Sequence, residues 1–187
     1  MDDRRKTLYL VRHGRTALNA EGRLRGLADP PLDAIGHTEA RAVAEALASR
    51  GLVAVRCSPL NRAATTARII AERSGCEWES DPAFNDRDYG PWTGHLMAEV
   101  VAEFGSVDAA PGVEPSSRVL ERAFPALDLL VTAADGPVCV VTHDAVIRPI
   151  LRAVDPDRTD LRVPTGSWNE LVRDHDRWRI AQSDRKP

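Results

Sequence analysis

Lysine is nearly missing from this chain. Of 25 basic side chains only Lys6 and Lys186 are lysines, and the rest are arginines. We read that bias as a mark of a GC-rich coding genome, with no functional meaning. Cysteine is sparse as well. Cys57, Cys76 and Cys139 form an odd, widely spaced set that offers no disulfide framework and no Cys-x-x-Cys pair for zinc. A reducing, cytoplasmic setting is the simplest expectation. Long apolar runs are missing too: none approaches the ~20 residues of a membrane span. The opening MDDRRKTLYLV turns polar too soon to be expected to act as a signal peptide. Neither a Gly-x-Gly-x-x-Gly fingerprint nor a P-loop lysine motif occurs, which argues against dinucleotide and nucleoside-triphosphate machines. Strong net charge is absent: 25 basic and 28 acidic residues leave −3. That balance gives no general reason to expect nucleic acid or an anionic membrane as partner.

What is present suits a soluble globular protein. The 187 residues are 43% apolar and 28% charged, a composition that argues against wholesale disorder. One domain over residues 1–187 is expected at this length, with 1–6 and 183–187 as loose ends. Thr7–Val11, Val53–Cys57 and Val138–Thr142 are short apolar runs that read as buried strands. Gly36–Arg50 carries Ala40, Val43, Ala44 and Leu47 at amphipathic helical spacing, with Gly51 as its stop. Ser58-Pro59 opens a second helix, predicted to run to about Ser74. Asp81–Gly94 reads as a polar loop. Met97–Phe104, Ser116–Ala134 and Ala145–Val154 read as helices, with Pro125 expected to kink or restart the second of them. Asn169–Val172 and Trp178–Ala181 read as a terminal hairpin. Strands alternating with helices imply a three-layer α/β/α sandwich around a mainly parallel sheet.

In such a sheet, sites form just beyond the carboxyl ends of the strands. Three strands here end in reactive sequences: Arg12-His13-Gly14-Arg15-Thr16, Ser58-Pro59-Leu60-Asn61-Arg62, and Thr142-His143-Asp144. One sheet edge therefore collects two histidines and at least two arginines. Clustered arginines call for an anion, and their planar forks match phosphate or carboxylate oxygens. The cationic field keeps a neighbouring imidazole neutral at pH 7. A neutral, oriented imidazole is a nucleophile that can attack phosphorus in line while arginines hold the equatorial oxygens.

The chain resembles the histidine phosphatase superfamily, in its phosphoglycerate-mutase-like branch. Leu10-Val11-Arg12-His13-Gly14-Arg15-Thr16 is similar to the superfamily's Arg-His-Gly signature. Asn19, the Arg23–Gly26 turn and Pro31-Leu32 followed by Gly36 resemble its first loop and helix entry. Ser58-Pro59-Leu60-x-Arg62-Ala63 resembles its second arginine motif, and Phe84-Asn85-Asp86-Arg87-Asp88-Tyr89-Gly90-Pro91-Trp92-Thr93-Gly94 its acid-bearing loop. Val140-Val141-Thr142-His143, followed by Val146-Ile147-Arg148, resembles its second-histidine motif. The four motifs occur in the family's order across about residues 7–182.

The resemblance implies roles. His13 would become phosphohistidine, and Arg12, Arg62 and His143 would line the phosphate pocket. Asn19, Arg25 and Gly26 would contact phosphate or the rest of the substrate. Tyr89 would either pack its loop or touch substrate. Asp86 would protonate the leaving oxygen and then help activate water, and a bound phosphate's charge would favour its protonated form. No metal and no cofactor are implied. Two departures stand out. The family's acid loop usually carries glutamate where this chain has Asp86. Its second-histidine motif usually continues with glycine, where this chain has Asp144. A distant branch uses a His-Asp pair at that point with the aspartate as acid, so Asp144 is the second candidate.

The implied activity is metal-independent hydrolysis of a small phosphomonoester through phosphohistidine. Mutase members carry a lysine soon after the acid loop, serving a second phosphate, and Met97 falls there in this chain. A mutase-type phosphotransferase is therefore the first alternative. A phosphate-binding regulatory module with weak catalysis is the second. The expected partner is a small-molecule phosphomonoester, with no nucleic acid or membrane, and a monomer or homodimer is the expected assembly.

Overall fold

In a computed structural model, residues 5–187 are described. Among them, six strands form one mixed sheet in the order β3-β2-β4-β1-β5-β6. The strands are β1 (Lys6–Arg12), β2 (Ala54–Cys57), β3 (Glu77–Ser80), β4 (Val138–Thr142), β5 (Trp168–Asp174) and β6 (Arg177–Arg185). β3, β2, β4 and β1 run parallel, β5 returns antiparallel beside β1, and β6 pairs antiparallel with β5. The helices are α1 (Ala17–Ala20), α2 (Ala34–Leu47), α3 (Asn61–Ser74), α4 (Met97–Phe104), α5 (Ser116–Ala133) and α6 (Asp144–Val154).

The central strands are continuous apolar runs because both sheet faces are covered. Successive side chains point to opposite faces. Leu8, Leu10, Val138 and Val140 pack with Val119, Ala123, Leu127 and Val131 of α5 and Ile147, Ile150 and Leu151 of α6. Tyr9, Val11, Cys139 and Val141 pack on the other face with Val43, Ala44 and Leu47 of α2 and Ala63, Ala67 and Ile70 of α3. This is the expected three-layer sandwich. A third, smaller cluster joins Leu24, Tyr89, Val100 and Ala110 above the carboxyl edge of the sheet. No described helix is long and apolar enough to cross a membrane.

Several element boundaries differ from the sequence reading. Residues 1–4 of the expected loose amino end lie outside the described residues, but Lys6 already belongs to β1. At the other end, β6 runs through Arg185, which pairs with Trp168, so residues 183–185 belong to the sheet and are not loose. α3 begins at Asn61, with Leu60 as a cap that offers no side-chain bond. Ser58 Oγ instead donates to Asn85 Oδ1 and accepts from Leu60 N. α5 passes Pro125 as one helix, without a restart. Its buried residues on both sides of the proline hold the two halves against the same sheet face.

Candidate active site

The turn after β1 is shaped by close backbone approach. A Cβ on Gly14 would lie 2.2 Å from Gly36 O, and one on Gly36 would lie 2.0 Å from Arg15 O. Only hydrogen at both positions lets the first turn of α2 press against this loop. Gly14 N also donates to Thr66 Oγ1 of α3 at 3.2 Å. The loop is thus held between α2 and α3, and it presents His13 at the sheet edge.

His13 is fully buried. Its Nδ1 lies 2.7 Å from Gly14 O. A carbonyl only accepts, so Nδ1 carries the proton and Nε2 carries the lone pair. Nε2 has no protein partner. Burial, then His143, Arg62, Arg12 and Arg25, hold the His13 pKa well below its usual value. The ring is therefore neutral at pH 7, with its free nitrogen directed away from the tethering carbonyl.

His143 stands at the end of β4, its ring centroid 5.0 Å from that of His13. It is equally buried, and neither of its nitrogens is hydrogen-bonded. Burial and then Arg62, Arg25 and Arg12 depress its pKa in the same way. Arg62, from the first turn of α3, is also fully buried. Its Nη1 donates to Ala28 O at 2.7 Å, and its Nη2 donates to Gly26 O and to Asp86 Oδ2, each at 2.9 Å. Asp86 Oδ2 is also 3.5 Å from His143 Nδ1. Arg62, Asp86, His143 and His13 thus form a contiguous buried chain. Arg12, on the strand next to Thr142, donates from Nη1 to Val163 O at 2.6 Å. Burial brings its guanidinium down to about 10, which leaves it cationic at neutral pH.

Among the described residues, buried polar atoms without a protein partner include Arg12 Nε, Arg25 Nε, Arg62 Nε, His13 Nε2 and both His143 nitrogens. Unsatisfied buried donors are costly and rare in folded proteins. The arginine nitrogens among them and the N–H of His143 can donate to an oxyanion, while His13 Nε2 offers a lone pair. No group of three His, Cys, Asp or Glu side chains among the described residues is placed to hold a metal ion.

An open cavity of about 400 Å³ adjoins these groups, lined by residues that include Arg12, Asn19, Arg25, Tyr89, Asp144 and Met97. Asn19 Oδ1 accepts from Thr16 N and Thr16 Oγ1 in a capping box. That network fixes the amide so that its NH₂ is the group free for a ligand. Gly26 has φ +50°, and a Cβ there would press on Tyr89, Arg87 and Thr93. Tyr89 is buried, with Arg87 stacked 5.8 Å from its ring centre. Burial raises its phenol pKa, so it presents a neutral hydroxyl. Asp144 is the first residue of α6 and pairs with Arg148 Nε at the cavity wall. Asp86, by contrast, sits within the buried chain. Glu72 pairs with Arg68 and Asp81 accepts from Ala83 N, so neither acid holds Arg62 at the surface.

Arg122 of α5 was not legible as a site residue. It donates to the carbonyls of Ala83, Asn85 and Asp86 and pairs with Glu114. These bonds clamp the backbone that carries Asp86. Its partners are carbonyls, which leave no mark on residue type, so local sequence could not reveal it.

Residues 8–185 match the family model of the histidine phosphatase superfamily, branch 1. The chain belongs to that superfamily. Among its relatives, glucosyl-3-phosphoglycerate phosphatase of Mycolicibacterium vanbaalenii is 30% identical, over 89% of this chain and 79% of that protein. The Mycobacterium tuberculosis protein of the same name is also 30% identical, over 90% and 81%. A probable phosphoglycerate mutase GpmB from Enterobacter is 46% identical, but over only 44% of this chain. The chain spans just 39% of that relative's length. Among solved structures, mycobacterial glucosyl-3-phosphoglycerate phosphatase with VO3 superposes with a TM-score of 0.85 at 27% identity, covering 96% of this chain and 98% of that one. A Bacillus anthracis phosphoglycerate mutase shares the fold, with a TM-score of 0.87 at 23% identity over 98% and 94% of the two chains. The relatives aligned over most of the chain support a phosphatase of this superfamily.

Proposed function

We propose that this protein hydrolyses small phosphomonoesters through a phosphohistidine on His13. The observation that carries the reading is the state of that ring: neutral, tethered through Nδ1, and offering an unpartnered Nε2 among arginine donors. Nε2 attacks phosphorus, the ester P–O bond breaks, and the leaving oxygen takes a proton from Asp86. Arg12, Arg62 and His143 donate to the three non-bridging oxygens as charge develops on them. Water then attacks the phosphohistidine, giving up its proton to the Asp86 carboxylate. The N–P bond breaks, and inorganic phosphate leaves with His13 neutral again. Guanidinium groups supply the positive charge, so the scheme uses no metal.

Asp86 is favoured over Asp144 as the acid because it lies against Arg62 and His143 inside the site, whereas Asp144 pairs with Arg148 at the cavity wall. Hydrolysis is favoured over mutase transfer by Met97, an apolar side chain lining the cavity where the mutase reading needs a lysine. The phosphatase names of the relatives that cover most of the chain point the same way. Their named substrate makes phosphorylated sugar acids the first compounds to try. Turnover of an aryl phosphate and release of phosphate to water tests the reading. Transfer to a phosphorylated sugar acid in preference to water would favour the mutase. An inert protein across a broad phosphate panel would favour a binding module.

A further inference from the structure

Two non-glycine residues occupy the left-handed backbone region on facing segments: Val163, with φ 46°, and Asp184, with φ 50°. For a β-branched residue this is a true outlier, and such strain persists only where surrounding contacts enforce it. Here those contacts are visible. Asp184 Oδ1 accepts from Val163 N at 2.8 Å, and Oδ2 accepts from Arg162 N at 2.9 Å. From the other side, Arg148 donates to the carbonyls of Leu161 and Arg162. Asp184 is itself anchored, its N–H donating to Asn169 Oδ1 at 2.9 Å. The Val163 side chain is buried in the core. Its carbonyl is the acceptor for Arg12 Nη1 at 2.6 Å, while Arg12 Nε stays unpartnered.

We propose that Asp184 is a positioning residue for Arg12, acting through the strained Val163 peptide. By holding two successive amides, the Asp184 carboxylate turns the Val163 carbonyl toward β1. That carbonyl occupies one edge of the Arg12 fork and aims the remaining donors at the oxyanion. The inference rests on the reading of Arg12 as a phosphate ligand.

The test is a double-mutant cycle on the full chain. Orthovanadate, an oxyanion of phosphate's shape, is titrated calorimetrically into the wild type, Asp184→Ala, Arg12→Ala and the double variant. Asp184→Ala is expected to weaken binding roughly tenfold in the wild-type background and less than about twofold in the Arg12→Ala background. A purely structural role would give the same loss in both. Unchanged affinity in Asp184→Ala, or an equal loss in both backgrounds, overturns the proposal. Asp184→Asn keeps one acceptor oxygen and serves in the same cycle if the alanine variant does not fold. Its smaller loss must likewise vanish without Arg12, or the proposal fails. A wild type that does not bind vanadate overturns the phosphate-site reading itself, an outcome distinct from tight wild-type binding that Asp184→Ala leaves intact.

Discussion

His13→Ala is expected to leave the fold intact and to abolish the acid-labile phosphoprotein formed when enzyme is mixed with substrate and quenched. A label that persists in this variant would place the nucleophile elsewhere. Asp86→Asn separates substrates by leaving group. Alkyl phosphates, whose oxygens need a proton on departure, should slow by about 10²–10⁴-fold, and aryl phosphates far less. Equal losses on both would remove Asp86 from the acid role. Gly14→Ala forces a methyl to within 2.2 Å of a carbonyl oxygen. Overpacking of this kind costs about 1–3 kcal/mol, read as a lower urea midpoint together with lost activity. Arg12, His13, Arg62 and His143 were legible because each ends or follows an apolar strand within a short motif. The tether of His13 Nδ1 to its neighbour's carbonyl was not, because a backbone acceptor has no residue type. The carboxylate of Asp184 was hidden for a different reason: it lies in a polar stretch that reads as an ordinary tail.

Helix α5 supports the Asp86 loop by packing near Phe84 and through the Arg122 side chain. Removing that guanidinium in Arg122→Ala frees the carbonyls of Ala83, Asn85 and Asp86. Misplacing a catalytic group by about 1 Å can cost about 10²-fold. We expect kcat to fall by about that order while far-ultraviolet dichroism stays unchanged. An unchanged kcat would show that the loop holds itself. The elements that were read well, β1, β4, α2 and α6, bury a continuous run or a clear helical stripe. β3 leaves no signal in the sequence because all four of its residues, Glu77–Ser80, are exposed at the sheet edge. It has no apolar face for a pattern to show, and it exists through its pairing with β2. α3 starts at Asn61, later than Ser58-Pro59 suggests, because the Ser58 hydroxyl donates to Asn85 and caps no helix.

Across the whole molecule, the two buried histidines tie stability to pH. Both have folded-state pKa values well below the ordinary 6.5, chiefly through burial. Below about pH 6.5 the unfolded chain takes up two protons that the folded chain refuses. Stability therefore falls on acidification, by about 1.4 kcal/mol per pH unit for each histidine until the folded pKa is reached. Urea midpoints measured from pH 7 to pH 5 should fall accordingly, and His143→Asn should flatten the slope. Inorganic phosphate, by offsetting the arginine field, should flatten it as well. A slope untouched by either change would place the acid sensitivity in other groups.

The strand order has a consequence for how this protein comes into being. β1 is synthesised first, yet its neighbours are β4 and β5, with Leu8 opposite Val138 and Leu171. During translation its apolar side chains emerge long before either partner exists. Pairings so distant along a chain make for slow folding and for exposed aggregation-prone intermediates. Until β4 has also left the ribosome, His13 at the end of β1 stands without His143 beside it, and the apolar face of β1 stays open to chaperones.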